Sequence, residues 1–307
     1  NLRLVTGALV ERIGFDGSRA TSVTYRRGAR THTLRAGAEI ILSAGSVTSP
    51  RILQLSGIGP ADILRQHGIT PLVDAPHVGG NLQDHLGINY YFKATEPTLN
   101  NQLAPFHGKV LAALRYALTR RGPLALSVNQ CGGDFRSEDG LNRPDQQLYF
   151  NPVTYTTTPD GTRTVIRPDP FAGFILGFQP SRPTSRGRID ISAADPAAPP
   201  LIRPNSLSTD EDRAQVIAGG RLCQSLLGTS ALRGLIASAM GPDPRQMDDA
   251  AILADFRDRA TTVFHPVGTC RMGVDPEAVV DPRLSVRGVD GLRVVDASIM
   301  PAITSGN

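Results

Sequence analysis

A histidine followed by proline stands near the carboxyl end of the chain, in the stretch FHPVGTCRMG at residues 264–273. Proline fixes its own φ and favours an extended conformation for the residue before it, so the backbone of His265 is held on its C-terminal side. Val267, Gly268 and Thr269 then provide a bend where backbone can approach a ligand closely. A rigidly held histidine that exchanges a proton near neutral pH suits general acid–base chemistry. The stretch therefore indicates either a catalytic base or a structural histidine at a turn.

Other pairs of reactive side chains are weaker candidates. Asp84 precedes His85 in the polar, Gly-rich segment VGGNLQDH at residues 78–85, but neighbours on an extended chain point apart. We interpret that segment as a structural or cofactor-contacting loop. His265 and Cys270 supply too few ligands for a zinc site, so no metal site is predicted. A hydrolase of the G-x-S-x-G type is disfavoured because that motif is absent from the sequence.

A strand followed by a helix is predicted at residues 38–59. AEIILSAG at 38–45 is a short apolar run, typical of a buried and parallel strand whose C-terminal end approaches a ligand. A helix should follow, capped by Ser46 or Thr48, with Pro50 in its first turn. An ordinary β–α connection without a ligand explains the same pattern.

The rest of the chain predicts a mixed α/β protein. Residues 2–43 are rich in strand patterns, and the segment 86–250 alternates helical stretches with strands joined by long polar loops, which indicates an antiparallel sheet. A helix is predicted within 207–228 from its apolar spacing, with Ser208, Thr209 or Asp210 as the cap, and an amphipathic helix is predicted at 248–259. A buried strand is predicted at 292–295.

Composition excludes several classes of protein. Of the 307 residues, 40 % are hydrophobic and 20 % charged, as in an ordinary globular protein. The net charge of +4 comes without a dense Lys/Arg cluster, so no nucleic-acid partner is predicted. No apolar run approaches the roughly 18 residues of a membrane span. Three separated cysteines without a CxxC pattern favour a reducing compartment and hence a cytoplasmic location, with peripheral attachment to a membrane as an alternative.

Five segments of the chain resemble conserved blocks of the glucose–methanol–choline (GMC) family of flavoprotein oxidoreductases, in the family's order. They are GSVTSPRILQLSGIG (45–59), VGGNLQDH (78–85), SRGRIDISAADPAAPPLIRPN (185–205), FHPVGTCRMG (264–273) and GLRVVDASIMPAITSGN (291–307). The resemblance is greatest to the choline-dehydrogenase-like alcohol dehydrogenase branch of the family.

The resemblance implies an α/β (overall α+β) fold with two lobes. Residues 1–85 and 251–307 would form part of a doubly wound FAD-binding domain, and residues 86–250 a substrate lobe with an antiparallel sheet and helices. The family's G-x-G-x-x-G fingerprint and its final helix are absent from these 307 residues, so the chain is predicted to be a fragment with an incomplete FAD lobe.

The resemblance also implies roles for individual residues. His265 would lie next to the flavin N5 as the base for the substrate hydroxyl, and Asn307 would occupy the second active-site position. The residues expected to contact FAD are Val10, Ala44, Gly45, Asn81, Leu82, Pro266, Val267, Asp296 and Ala297.

The activity that the resemblance implies is oxidation of the CH–OH group of a small-molecule alcohol, choline or another primary or secondary alcohol, by FAD. The electron acceptor would be oxygen, a quinone or another compound. The alternatives are a lyase with the same fold and a non-catalytic remnant unable to hold FAD. Tyr149, Asn151 and Tyr155 are the predicted lining of the substrate site.

Overall fold

The computed structural model describes residues 2–126, 130–160 and 163–306. Its strands are β1 (Ala8–Asp16), β2 (Arg19–Arg27), β3 (Arg30–Arg35), β4 (Ile40–Leu42), β5 (Ile58–Gly59), β6 (Val73–Asp74), β7 (Leu86–Ala94), β8 (Cys131–Phe135), β9 (Gln146–Asn151), β10 (Tyr155–Asp160), β11 (Arg163–Pro168), β12 (Gly173–Pro180), β13 (Arg188–Asp190), β14 (Leu201–Arg203), β15 (Ile236–Ala239), β16 (Thr261–Thr262) and β17 (Leu292–Val294). Its α-helices are α1 (Gly45–Leu55), α2 (Ala61–Gln66), α3 (Leu99–Leu103), α4 (Phe106–Thr119), α5 (Asp210–Gly228), α6 (Ser230–Arg233) and α7 (Asp249–Arg259). Short 3-10 helices lie at Pro123–Ala125, Pro244–Gln246 and Ala297–Ile299.

The chain divides into two compact units. The first contains residues 2–84, 183–208 and 264–303, and the second contains residues 85–182, 209–263 and 304–306. Apart from a shift of one residue at 85, these bounds differ from the predicted lobes in three places: 183–208 belongs to the first unit, whereas 251–263 and 304–306 belong to the second.

Backbone pairing and helix packing explain the differences at 183–208 and 251–263. Leu82 and Gly187 exchange two hydrogen bonds, 2.9 and 3.0 Å long, which tie the segment 183–208 to the first unit. In the second unit, α7 packs against α5, and β16 pairs with β7. The sequence at 188–190 therefore indicated a strand but not the unit to which that strand belongs.

The first unit combines an antiparallel β1–β2–β3 sheet with two parallel pairs, β4–β17 and β5–β6. The parallel strand predicted at 38–45 is confirmed as β4, and the buried strand predicted at 292–295 is confirmed as β17. Ile41 is 56 % exposed, so one face of β4 is covered within this unit and the other is not.

Residues 2–6 form no strand, contrary to the sequence pattern, and the side chains of Leu2 and Leu4 are exposed.

Helix α1 begins earlier than the sequence predicts. Its N-cap is Ala44 rather than Ser46 or Thr48, and it has no side-chain cap of its own. Pro50 consequently lies inside the helix instead of in its first turn. The side chains of Ile52 and Leu53 pack into the core of the first unit together with residues of β4 and β17.

The second unit is built on an antiparallel sheet in the order β15–β7–β12–β9–β8, with β16 also paired to β7. This confirms the antiparallel sheet predicted for the middle of the chain. Helix α5 packs on β12, and the Phe178 and Phe256 rings lie 5.6 Å apart between the sheet and α7. Both helices have side-chain caps: Thr209, one of the three predicted candidates, accepts from the Asp212 N–H at the start of α5, and Asp248 accepts from the Ala251 N–H at the start of α7.

Across residues 2–126, 130–160 and 163–306, no helix combines the length and the apolar character needed to cross a bilayer.

Candidate functional site

The N-terminus of α1 is capped by a side chain that lies 251 residues away in the chain. Asp296 Oδ2 accepts hydrogen bonds from the Gly45 N–H (2.9 Å) and from Ser49 Oγ (2.5 Å). Its other oxygen accepts from the Ser298 N–H at 2.8 Å. A carboxylate at this position satisfies an unpaired helix N–H and interacts favourably with the helix dipole. Asp296 thereby replaces the side-chain cap that Ala44 cannot provide.

The middle of α1 is attached to the histidine loop, defined here as residues 264–273. Pro50 has no N–H, so the helix cannot supply the usual hydrogen bond to the Ser46 carbonyl four residues earlier. Thr269 Oγ1, which is fully buried, donates to that carbonyl at 2.6 Å instead. The proline and the threonine thus form one hydrogen-bonding unit, although they belong to two separate sequence motifs.

His265 is the second residue of the histidine loop. It follows Phe264, which has a left-handed backbone with φ = 64°. The His265 backbone N–H donates to Asp84 Oδ1 at 2.9 Å. Val267 and Gln83 exchange backbone hydrogen bonds of 2.9 and 3.1 Å. Backbone hydrogen bonds on both sides of Pro266 therefore fix the backbone that carries the partly buried His265 side chain.

Gly268 allows the histidine loop to approach the segment 81–83 closely. Its φ is +91°, and a Cβ atom there would lie 2.6 Å from the carbonyl oxygen of Asn81. In return, Asn81 Nδ2 donates to the Gly268 carbonyl at 3.2 Å. Any side chain at Gly268 would push the two segments apart. Glycine is therefore required here both because φ is positive and because there is no room for a Cβ atom.

Gln83 is a positioning residue that the sequence did not single out. It is 2 % exposed, and its Nε2 donates to the Pro301 carbonyl at 3.1 Å while its Oε1 accepts from the Ile303 N–H at 3.2 Å. It therefore fixes the final segment of the first unit. A glutamine within a Gly-rich polar loop gives no sequence signal for this long-range role.

The predicted flavin-contacting residues of the first unit fall into two linked groups. Pro266 and Val267 lie beside the segment that contains Asn81 and Leu82, through the Gln83 pairing. The second group is Ala44, Gly45, Asp296 and Ala297, which surround the N-terminus of α1.

The two groups are joined where the Gly268 N–H donates to the Ala297 carbonyl at 3.3 Å. Val10 lies apart from them, on the edge strand β1, next to a register irregularity between Val10 and Arg12. Asn307 lies outside the described residues.

Asp84 and His85 have separate roles. Asp84 holds the His265 backbone, whereas His85 in the second unit places Nε2 2.9 Å from the Ser181 carbonyl oxygen. This is the arrangement expected for neighbours on an extended chain.

Cys270 packs in the core of the first unit. It is fully buried, and burial raises the pKa of its thiol to about 12. A protonated thiol is a poor metal ligand. Over the described ranges, no three His, Cys, Asp or Glu side chains are grouped so that they could hold a metal ion.

The predicted substrate-lining residues lie in the second unit, Tyr149 and Asn151 on β9 and Tyr155 at the start of β10. Tyr149 lies over Gly177, where an added Cβ atom would be 2.2 Å from its ring. Burial raises the pKa of the Tyr149 hydroxyl above its usual range. Asn151 is 3 % exposed, and its Oδ1 has no hydrogen-bond partner among the residues that the structure describes.

Comparison with known proteins gives consistent matches along the chain. The chain is 39 % identical, over its whole length, to an alcohol dehydrogenase (acceptor) of Pseudomonas putida and covers 55 % of that protein. It is 36 % identical, again over its whole length, to an oxygen-dependent choline dehydrogenase of Staphylococcus aureus and covers 53 % of it. Among solved structures it is similar to the FAD-containing formate oxidase of Aspergillus oryzae, with 26 % identity and a TM-score of 0.86 over 97 % of this chain and 56 % of that one.

The chain spans about half the length of the curated relatives it matches. Two family models, both described as GMC oxidoreductase, match its residues 1–87 and 183–307. The contacts among α1, the segment 81–84, the histidine loop and Asp296 all lie within these two matched ranges. The chain therefore belongs to the GMC oxidoreductase family.

Proposed function

We propose that the protein containing this chain is an FAD-dependent oxidoreductase that oxidises the CH–OH group of an alcohol to a carbonyl, with His265 as the base. The observation that supports this most directly is the set of hydrogen bonds in the first unit that joins the N-terminus of α1, the segment 81–84 and the histidine loop, which we call the frame. Within it, four of the predicted flavin-contacting residues, Ala44, Gly45, Asp296 and Ala297, follow the carboxyl ends of the parallel strands β4 and β17. In open α/β sheets, ligands bind beyond the carboxyl ends of the strands.

The chemistry of the frame suits the uncharged part of a flavin cofactor better than its pyrophosphate. The first N–H of α1 is already bonded to the carboxylate of Asp296, and a second anion there would be repelled. The Ala44 and Gly45 N–H groups are bonded to Ser49 Oγ and Asp296 within the first unit. Uncharged amides such as those of Ala297 and Asn81 suit the polar edge of an isoalloxazine ring and the hydroxyls of its side chain. A pyrophosphate would need a separate cradle, and no G-x-G-x-x-G occurs in these 307 residues.

FAD, when bound, supplies the acceptor for the hydride that leaves the carbinol carbon. The protein has to remove the hydroxyl proton, because a carbinol that loses hydride alone becomes a protonated carbonyl. His265 would take that proton at an imidazole nitrogen, a contribution typically of about 10²–10⁴-fold in rate. Its backbone is held by Asp84 and by the Val267–Gln83 pairing, so little reorganisation is needed.

Asn307 is proposed to hydrogen-bond the same substrate oxygen. Gln83 fixes the segment that leads towards it through the Pro301 carbonyl and the Ile303 N–H. The relatives named above support an alcohol as substrate, choline being one example. Oxygen, a quinone or another compound would reoxidise the flavin.

The test is the rate of flavin reduction by substrate in the full-length protein. The variant His265→Ala should lower that rate by about 10²–10⁴-fold while the bound flavin absorbance is retained. His77→Ala, at an exposed histidine of the same unit, is the matched control and should leave the rate unchanged. An unchanged reduction rate in His265→Ala would sink the assignment of the base.

A further inference from the structure

Helix α4 exposes its apolar face to solvent. Phe106, Val110, Leu114 and Leu118 follow one another at intervals of four residues and therefore form one row along the helix, with Leu111 beside it. All five are exposed, Phe106 by 81 % and Leu118 by 82 % of their surfaces. Isolated apolar side chains on a surface are ordinary, but a contiguous row of large ones marks an interaction site.

The opposite face of α4 is the one that packs against the second unit. At Gly108 an added Cβ atom would lie 1.9 Å from the Gln102 carbonyl oxygen, so α4 and α3 are in close contact there. Ala112, one turn further, is the helix residue that is buried. The covered face thus carries small residues and the exposed face carries large ones, which reverses the usual arrangement of a surface helix.

The charged residues in the sequence on either side of the exposed row have a single sign. Between Glu96 and Asp134 the sequence contains no acidic residue, whereas it contains Lys109, Arg115, Arg120 and Arg121. All four cationic residues are exposed. A helix with large apolar side chains on one face and Lys or Arg along its borders is typical of a helix that lies in a membrane interface.

We propose that α4 binds a lipid bilayer surface that contains anionic headgroups, with the row Phe106–Val110–Leu114–Leu118 inserted at the boundary of headgroups and acyl chains. The exposed face is the convex side of a single helix, which suits a flat and deformable surface. The cationic border complements anionic headgroups. A second copy of this chain joined through α4 would bring no acidic side chain from its own 97–133 segment to balance these cations.

The test is partitioning of the full-length protein onto vesicles of phosphatidylcholine with and without phosphatidylglycerol, measured by flotation. Binding should be stronger to the anionic vesicles. Leu111→Glu with Leu118→Glu should lower the partition coefficient at least tenfold. Lys109→Gln and Arg121→Gln should each lower it about fivefold on anionic vesicles.

Two control variants change exposed residues outside α4. They are Val274→Glu, at an apolar residue of the first unit, and Arg233→Gln, at a cation of α6, and both should leave the partition coefficient unchanged.

A fluorescent reporter separates the lipid surface from other occupants of the row. The 307 residues contain no tryptophan, so Leu118→Trp adds one indole to this part of the protein. Its emission, taken as the difference from the parent protein, should be that of a solvent-exposed indole in buffer and should shift to the blue when vesicles are added.

Three results would overturn the proposal. One is a blue-shifted indole without vesicles in monomeric protein, which would show that the remainder of the polypeptide covers α4. Another is a dimer that dissociates in the Leu111→Glu and Leu118→Glu variant, which would make the row an interface between copies. The third is vesicle partitioning that the α4 substitutions leave unchanged.

Discussion

Helices α1 and α4 differ in where their stability comes from. Most residues of α1 are buried, yet it lacks a local cap and contains a proline, so its polar groups are satisfied by Asp296 and Thr269 from distant parts of the chain. In α4 the single buried residue is Ala112, and the sequence AALRYAL supplies good helix formers. The first helix is imposed by tertiary contacts and the second by local propensity. Consequently, substitutions in α1 should affect folding, and those on α4 should affect binding.

The largest expected contrast is between two leucines, Leu53 in α1 and Leu118 in α4. Leu53 is 0 % exposed, so Leu53→Ala should lower the free energy of unfolding by about 2–5 kcal/mol through lost burial and a new cavity. Leu118→Ala should change it by less than about 0.5 kcal/mol, as is usual for an exposed site. Urea denaturation of both variants, followed by far-UV circular dichroism, measures the contrast. Equal losses of stability would mean that α4 is covered in the intact protein and that the comparison of the two helices is wrong.

Local patterns were sufficient for elements whose determinants are close in sequence. The Thr209 cap of α5 and the apolar run of β4 were both visible in the sequence. The true start of α1 was not, because its capping carboxylate comes from Asp296, 251 residues later. Hydrogen-bond partners at such separations leave no local pattern, which explains why both cap candidates were wrong.

The candidate site shows the same limit. The resemblance pointed to His265 and to the proposed flavin-contacting segments, but not to what holds them in place. The roles of Gln83 and Asp84 depend on backbone groups at Pro301, Ile303 and His265, which any residue type could supply. The residues that position a motif through backbone groups are therefore harder to predict from sequence than the motif itself.

The next largest effect is expected at Asp296, the remote cap of α1. Asp296→Ala removes acceptors from Gly45, Ser49 and Ser298 and should lower the free energy of unfolding by about 3 kcal/mol, as for hydrogen bonds to a charged group. Asp296→Asn keeps one acceptor oxygen and should lower the free energy of unfolding by less than Asp296→Ala does. Urea titrations are made on preparations of equal flavin content, so that cofactor binding does not enter the difference. If Asp296→Ala were as stable as the exposed control Asp195→Ala, the remote cap would contribute nothing to α1.

The smallest effect, and the most specific one, is expected for the pair Pro50 and Thr269. Thr269→Val preserves shape but removes the hydroxyl that donates to the Ser46 carbonyl, which should cost about 1–2 kcal/mol because that carbonyl then has no donor. Pro50→Ala restores a helical N–H four residues after Ser46. In the Pro50→Ala protein, Thr269→Val should lower the free energy of unfolding by less than half as much as it does in the parent protein. A double-mutant cycle from urea midpoints isolates this coupling, since the packing change at residue 50 is common to both of its arms. Additive free energies would show that the threonine does not compensate for the proline, and that α1 and the histidine loop are held together by packing alone.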